Sequence, residues 1–146
     1  MRRPEQALQI KLVSTLRQLL PKPWLVVHVR NQGEQRSKRA HGILKAMGVV
    51  AGFPDLLVIG PFTQGTYQDG SVIYTHPTTI ALELKAPTKM LKSGEPSKAK
   101  PAVSDAQRDV IETLGQCGIP TIIVRSMDEA IDALKAIGVP LKGRAL

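Results

Sequence analysis

Three ionisable side chains stand where ionisable side chains are costly. Asp55 opens the apolar run Leu56 to Ile59, and Glu83 and Lys85 alternate with Leu82 and Leu84 in a second apolar stretch. Alternate residues of a strand share a face, so Glu83 and Lys85 project to one side and Leu82 and Leu84 to the other. Charges in such strands are expensive to bury unless they are paired or hold a metal. If the two strands are neighbours, Asp55 and Glu83 converge on a hard divalent cation, which takes oxygen ligands and keeps several waters. Lys85 then stands beside it. This chemistry suits phosphodiester hydrolysis: the cation acidifies water, offsets charge on the phosphoryl oxygens and aligns nucleophile with leaving group. The lysine adds positive charge at the scissile phosphate or positions the attacking water. A buried salt-bridge cluster without catalysis would use the same residues, and these residues alone leave both readings open.

The elements that must position them read α, β, short α, β, β, α, β, α, which predicts an α/β fold with a mixed β-sheet flanked by helices. Apolar residues from Ala7 to Leu20 fall at helical spacing behind Pro4, and Pro21 and Pro23 end that helix. Trp24 to Arg30 is a β-branched strand, and residues 36–47 form a short helix stopped by Gly48. Pro54 to Ile59 is a buried strand closed by Gly60 and Pro61. Residues 62–71 carry turn chemistry around Asp69-Gly70 and can extend the flanking strands. Val72 to Tyr74 and Thr78 to Lys85 are strand-like, with His76-Pro77 as an interruption. Residues 86–103 hold three prolines and four lysines without apolar period, a mobile basic loop. Ser104 caps a helix to about Cys117, Ile119 to Val124 is a buried strand, and Ser126 caps a helix over 127–137. Residues 139–146 read as a loose tail.

At 146 residues the chain fits a single domain, 42% hydrophobic and 22% charged, in the range of ordinary folded proteins rather than disordered ones. No apolar run approaches the roughly 18 residues of a membrane span. Met1-Arg2-Arg3 leads into polar sequence without the apolar region of a secretory signal, so the expected compartment is the cytoplasm. Cys117 is the single cysteine, which excludes an intrachain disulfide and a cysteine metal cage. His28, His41 and His76 lack ligand spacing and are assigned no role.

The net charge of +8 points to a polyanionic partner, nucleic acid by default. Its distribution is uneven. Residues 1–53 hold ten basic and two acidic groups, 54–86 one and three, 87–103 four and one, and 104–146 five and six. The acidic middle thus sits between two basic stretches, the layout of a cation site flanked by phosphate-binding surface. Candidates for nucleic-acid contact are Asn31, Arg36, Lys38, Arg39, Lys89, Lys92, Lys98 and Lys100. Aromatics are only 3%, so backbone and shape recognition is expected rather than base stacking.

Pro54-Asp55 followed by Glu83-x-Lys85 resembles the signature of the PD-(D/E)xK nuclease superfamily. Further residues resemble the VRR-NUC (virus-type replication-repair nuclease) domain over about residues 4–135: Glu5 in the first helix, Asn31 after the first strand, the run Gly48 to Asp55, Ala81 to Lys85, Ser104 with Gln107, Gly118, and Val124-Arg125-Ser126. Two departures are a 27-residue separation of Asp55 from Glu83 and a final motif with Ser126 in place of a second arginine. The resemblance implies a restriction-endonuclease-like core and Mg²⁺- or Mn²⁺-dependent cleavage of DNA, often branched or junction DNA, in replication, repair or recombination. It implies Asp55 and Glu83 as metal ligands, with the Leu84 backbone carbonyl and Glu5 joining them. Lys85 is then the catalytic lysine and Gln107 a glutamine facing the site. A phage origin is in keeping with this, and cutting both strands of a symmetric junction favours a homodimer. Two other readings stay open: a non-catalytic basic nucleic-acid-binding module, and a nuclease subunit that needs a partner or larger assembly for activity.

Overall fold

The computed structural model describes residues 3–30, 37–87, 89–97 and 103–143. Of the candidates above, Asn31, Arg36, Lys98 and Lys100 lie outside the described residues.

The first helix, α1 (Pro4–Leu19), places Pro4 in its first turn, where a missing N–H costs nothing, and buries Leu12 and Leu16 one turn apart. Strand β1 (Leu25–His28) follows, then α2 (Lys38–Ala46), whose Ser37 cap accepts from the Ala40 amide at 3.1 Å. Two long strands come next, β2 (Leu56–Thr66) and β3 (Val72–Leu84), joined through a tight turn at Tyr67 to Ser71. Helix α3 (Asp105–Gln116) crosses to β4 (Thr121–Val124), and α4 (Met127–Ile137) closes the chain. The eight elements and their order agree with the sequence reading.

One sheet carries the strands in the order β1-β2-β3-β4. The first two pairings are antiparallel and β3 with β4 is parallel, as a helical crossover requires. On one face Leu12, Leu16 and Leu20 and the α4 residues Ala130, Ile131 and Leu134 pack against Leu56, Val58, Ile80, Leu82, Leu84 and Val124. Burying these side chains is the main driving force for the fold. The odd-numbered residues of β3 face the other way, among them Glu83, on the side to which α3 brings Gln107.

Two of the expected boundaries are corrected. Gly60-Pro61 does not end β2 and His76-Pro77 does not interrupt β3, because the two breaks fall opposite one another: Pro61 pairs with Pro77. A proline offers no N–H to a ladder, so such a pair fits at a non-hydrogen-bonded position where both nitrogens point outward. Here β1 has already ended at the partner of Ile59, and β4 reaches only as far as Ala81, so neither nitrogen faces a described strand. Irregular register between Phe62 and Gly65 completes the accommodation. Gly60 is required by packing, since a Cβ there would come within 2.0 Å of the Trp24 indole. Residues 139–142, read as part of a loose tail, are held: Val139 is buried and the Lys142 amide donates to the Leu19 carbonyl at 2.8 Å. Within the 86–103 loop, Met90 pairs with Pro96 across a turn.

Candidate active site

Asp55 immediately precedes β2, Glu83 lies at the end of β3, and Lys85 directly follows that strand. The antiparallel register sets Leu56 opposite Leu82, which brings Asp55 beside that end. Backbone groups alternate along β3: Ala81 N donates to Pro120 O and Lys85 N to Val124 O, both toward β4. Leu84 therefore turns its backbone toward β2. No ladder partner remains there, and Asp55 Oδ2 accepts from the Leu84 amide at 2.8 Å. The side chain of Asp55 thus completes the sheet where the backbone of β2 no longer reaches, and the Leu84 carbonyl lies on the same edge.

Glu83 is 3% exposed. Its Oε1 accepts from Gln107 Nε2 and pairs with Lys85 Nζ at 3.1 Å. Lys85 Nζ also donates to Gln107 Oε1 at 2.9 Å. Gln107 is fixed in turn by a capping box: its amide donates to Ser104 Oγ at 3.2 Å and its Oε1 accepts from the Ser104 amide at 3.0 Å. Gly52 lets α3 come this close. With φ at +79°, it faces the helix so tightly that a Cβ would stand 2.5 Å from the Ala106 carbonyl carbon and 2.6 Å from the Gln107 nitrogen.

Burial raises the Glu83 carboxyl to about 7, and the nearby Asp55 carboxylate adds to the rise against the opposing pull of Lys85 and Gln107. Burial likewise lifts Asp55 above its ordinary value, although the Leu84 amide, Lys85 and His28 favour its charged form. The second oxygen of Glu83, Oε2, is buried and has no hydrogen-bond partner. A carboxylate oxygen in that position calls for a proton or a cation.

Glu5 reaches the rim, where its Oε1 accepts from the Ala86 amide at 3.3 Å, and its charge bears on Asp55. Arg125 Nη1 donates to the Ala86 carbonyl at 2.8 Å, while its amide is held by Glu129 Oε2 at 2.8 Å. The residue after Lys85 is therefore gripped from both sides. Among the described residues, no group of three or more His, Cys, Asp or Glu side chains is placed to hold a metal by itself. A cation here would draw on the two carboxylates, a backbone oxygen and water.

The structure brings Asp55, Glu83, Leu84, Lys85 and Gln107 together and sets Glu5 beside them. Lys38 and Arg39 on α2, and Lys89 and Lys92 after β3, are exposed and make no such cluster. Two participants were given no role in the sequence reading. His28 Nδ1 lies 2.9 Å from the Asp55 carbonyl, and nothing in its strand sequence announces this. Arg125 stands in the Val124-Arg125-Ser126 run that resembles the family motif, but its place at the Lys85-Ala86 step follows from the parallel register that sets Leu84 opposite Val124.

No protein-family model matches the chain. No curated protein matches it either. A solved structure described as a VRR_NUC domain protein does, with a TM-score of 0.60 and 16% identity over 100% of this chain and 97% of the other. The fold is similar to that of a VRR_NUC domain protein. The mixed sheet with helices on its faces is thus a fold that this chain shares with that structure over its whole length.

Proposed function

We propose that the protein is a Mg²⁺- or Mn²⁺-dependent deoxyribonuclease whose centre is Asp55, Glu83 and Lys85. The observation that carries this reading is the partnerless, buried Oε2 of Glu83, on a carboxylate that already shares its surroundings with Asp55. Two acids pressed together in a partly dry site suit a divalent ion better than they suit each other. The donor set fits such an ion: two carboxylates and the Leu84 carbonyl, all oxygen, with Glu5 near enough for its charge to act on Asp55. When bound, the ion supplies positive charge against the phosphoryl oxygens and acidifies water.

The chain's own residues do the rest. Lys85 has three N–H donors, of which Gln107 and Glu83 engage two. The third is left for a phosphate oxygen or the attacking water. Gln107 orients both Lys85 and Glu83, and the α3 cap holds Gln107. Glu5 and Arg125 fix Ala86, so Lys85 leaves the sheet in one direction.

DNA is the substrate this reading favours. The net charge is +8, and Lys38, Arg39, Lys89 and Lys92 offer exposed cations to phosphates. Branched or junction DNA, a homodimer that cuts paired strands, and a place in a phage or host replication or repair assembly are the finer parts of the proposal. Incubating the protein with labelled four-way junction, flap, single-strand and duplex DNA in Mg²⁺, Mn²⁺ or EDTA tests it. Cleavage that EDTA abolishes, strongest on a branched substrate, is expected. Tight binding with no cleavage in either metal would turn the reading to a binding module or a partner-dependent subunit.

A further inference from the structure

Between Lys85 and the helix that carries Gln107, the chain folds a small hairpin. Leu91 and Glu95 face each other across the loop 92–94, with the Leu91 amide donating to the Glu95 carbonyl at 2.8 Å and the Gly94 amide to the Leu91 carbonyl at 2.9 Å. Gly94 takes the left-handed conformation that a loop of this length uses, with φ at +82°. One step further, Met90 pairs with Pro96, and the Ser97 amide donates to the Lys89 carbonyl at 2.8 Å. The bonds that frame this pair come from the Leu91 and Ser97 amides, so Pro96 lacks an N–H where none is needed. Residues 89–96 are all exposed, Met90 at 65% and Leu91 at 49%. Turn and backbone thus hold the hairpin, and its two large apolar side chains stand outside the core.

We propose that this hairpin is a wedge that enters the base stack of DNA beside the scissile phosphate, with Met90 and Leu91 against bases and Lys89 and Lys92 on the neighbouring phosphates. The proposal rests on the nuclease reading and supplies the means by which such a site selects branched DNA. Position is the first argument. Lys89 comes three residues after Ala86, which Glu5 and Arg125 hold beside Lys85, so it lies at most about 11 Å from Ala86, or about three base steps. The far stem leads to Ser104, whose amide donates to Gln107 Oε1, so both ends of the segment return to the site. Shape is the second. Alternation along the ribbon sets Met90 and Leu91 on opposite faces, so an inserted hairpin meets a base on either side. Methionine and leucine are among the side chains that proteins place between base steps. Charge is the third. Lysines flank the apolar pair, and residues 87–103 hold four basic groups and one acidic. DNA offers phosphates and base faces in the same alternation, whereas a second copy of this chain, at +8, would bring like charge. Parting an intact stack costs free energy that a flap, fork or junction has already given up, so the wedge acts where stacking is broken.

Two variants test the proposal away from the catalytic residues. Met90→Ser with Leu91→Ser removes the apolar pair, and Gly94→Val keeps the pair but strains the turn, since only the positive φ there opposes a side chain and nothing lies within 4 Å of an added Cβ. 2-Aminopurine, whose fluorescence rises on unstacking, is placed at the last pair before the branch of a fork and at the same position of a fully paired duplex. Affinity is read by anisotropy on the same samples, in EDTA so that no cleavage intervenes. Wild type is expected to raise the signal at the branch and not in the duplex. Both variants are expected to lose most of that rise and to bind the fork about tenfold more weakly, with duplex affinity within about twofold and unfolding midpoints unchanged. No rise with wild type, or a rise that both variants retain, would overturn the proposal. So would an equal loss on both substrates, which would make the hairpin a general DNA contact, or a change in oligomeric mass with unchanged DNA affinity, which would make it a protein interface. Failure of the underlying nuclease reading shows separately, as wild type that raises the branch signal and cuts neither DNA in Mg²⁺ or Mn²⁺.

Discussion

Glu83 is the residue at which chemistry and stability oppose each other. In the folded chain its carboxyl titrates near 7 against an ordinary 4.5, so between those values the folded state holds a proton that the unfolded chain has lost. Without metal, stability is therefore expected to fall as pH rises through that window and to level off above it, by on the order of 3 kcal/mol at most. Asp55, also pushed up by burial, contributes with the same sign. Urea unfolding in EDTA at pH 5 and pH 8 measures the loss, and Glu83→Gln should remove most of it while abolishing cleavage. A wild-type loss that Glu83→Gln leaves intact would mean that another group carries it. The three charged residues were legible in the sequence because Asp55, Glu83 and Lys85 interrupt apolar strands. Their hydrogen bonds were not. Gln107 stands 22 residues from Lys85, and only the folded crossover shows that one amide serves both Lys85 and Glu83.

At the scale of elements, the site depends on α3 arriving against the turn before Asp55. Gly52 sets that distance, and both its positive φ and the 2.5 Å approach of Ala106 forbid a side chain. Gly52→Ala is expected to cost about 2 kcal/mol or more and to lower cleavage beyond the loss of folded protein, because Gln107 must move with the helix. Unfolding midpoint and the single-turnover rate of the folded fraction check this; a stable variant cutting at the wild-type rate would free Gln107 from the positioning role. Helix order and type were readable from apolar spacing and caps such as Ser104 and Ser126, whose hydroxyls accept from the Gln107 and Glu129 amides. The reach of β2 and β3 was not, because a proline reads locally as a strand breaker. Only the cross-strand register shows Pro61 and Pro77 facing each other where neither nitrogen is needed. Likewise Val139 and Lys142 follow a helix-ending glycine and proline, and their docking on α1 is a tertiary event that the local sequence does not encode.

For the whole molecule, net charge was legible and its arrangement was not. On the proposed reading, the charge of +8 predicts that DNA binding weakens steeply with salt, log K falling against log salt with a slope of about 0.9 for every phosphate the protein neutralises. Self-association has no comparable signature in the sequence. The structure exposes Leu25, Val27 and Ile123, which the strand register sets on one face of the sheet. Apolar surface of that kind on a small domain is commonly covered by a partner. A homodimer is the expected state, with a mass by light scattering of twice 15.9 kDa. A monomer at high concentration would count against coordinated cutting of a symmetric junction.

The most direct measurement compares wild type with Lys85→Ala in single-turnover cleavage of a labelled four-way junction, in Mg²⁺ and in EDTA, with DNA binding recorded on the same samples. Wild type should cut in Mg²⁺ and not in EDTA, while Lys85→Ala binds the junction as well as wild type and loses about 100-fold or more in rate, the scale at which positioned charge acts on a transition state. Undiminished cleavage by Lys85→Ala, or cutting that persists in EDTA, would contradict a metal-dependent centre built on Asp55, Glu83 and Lys85.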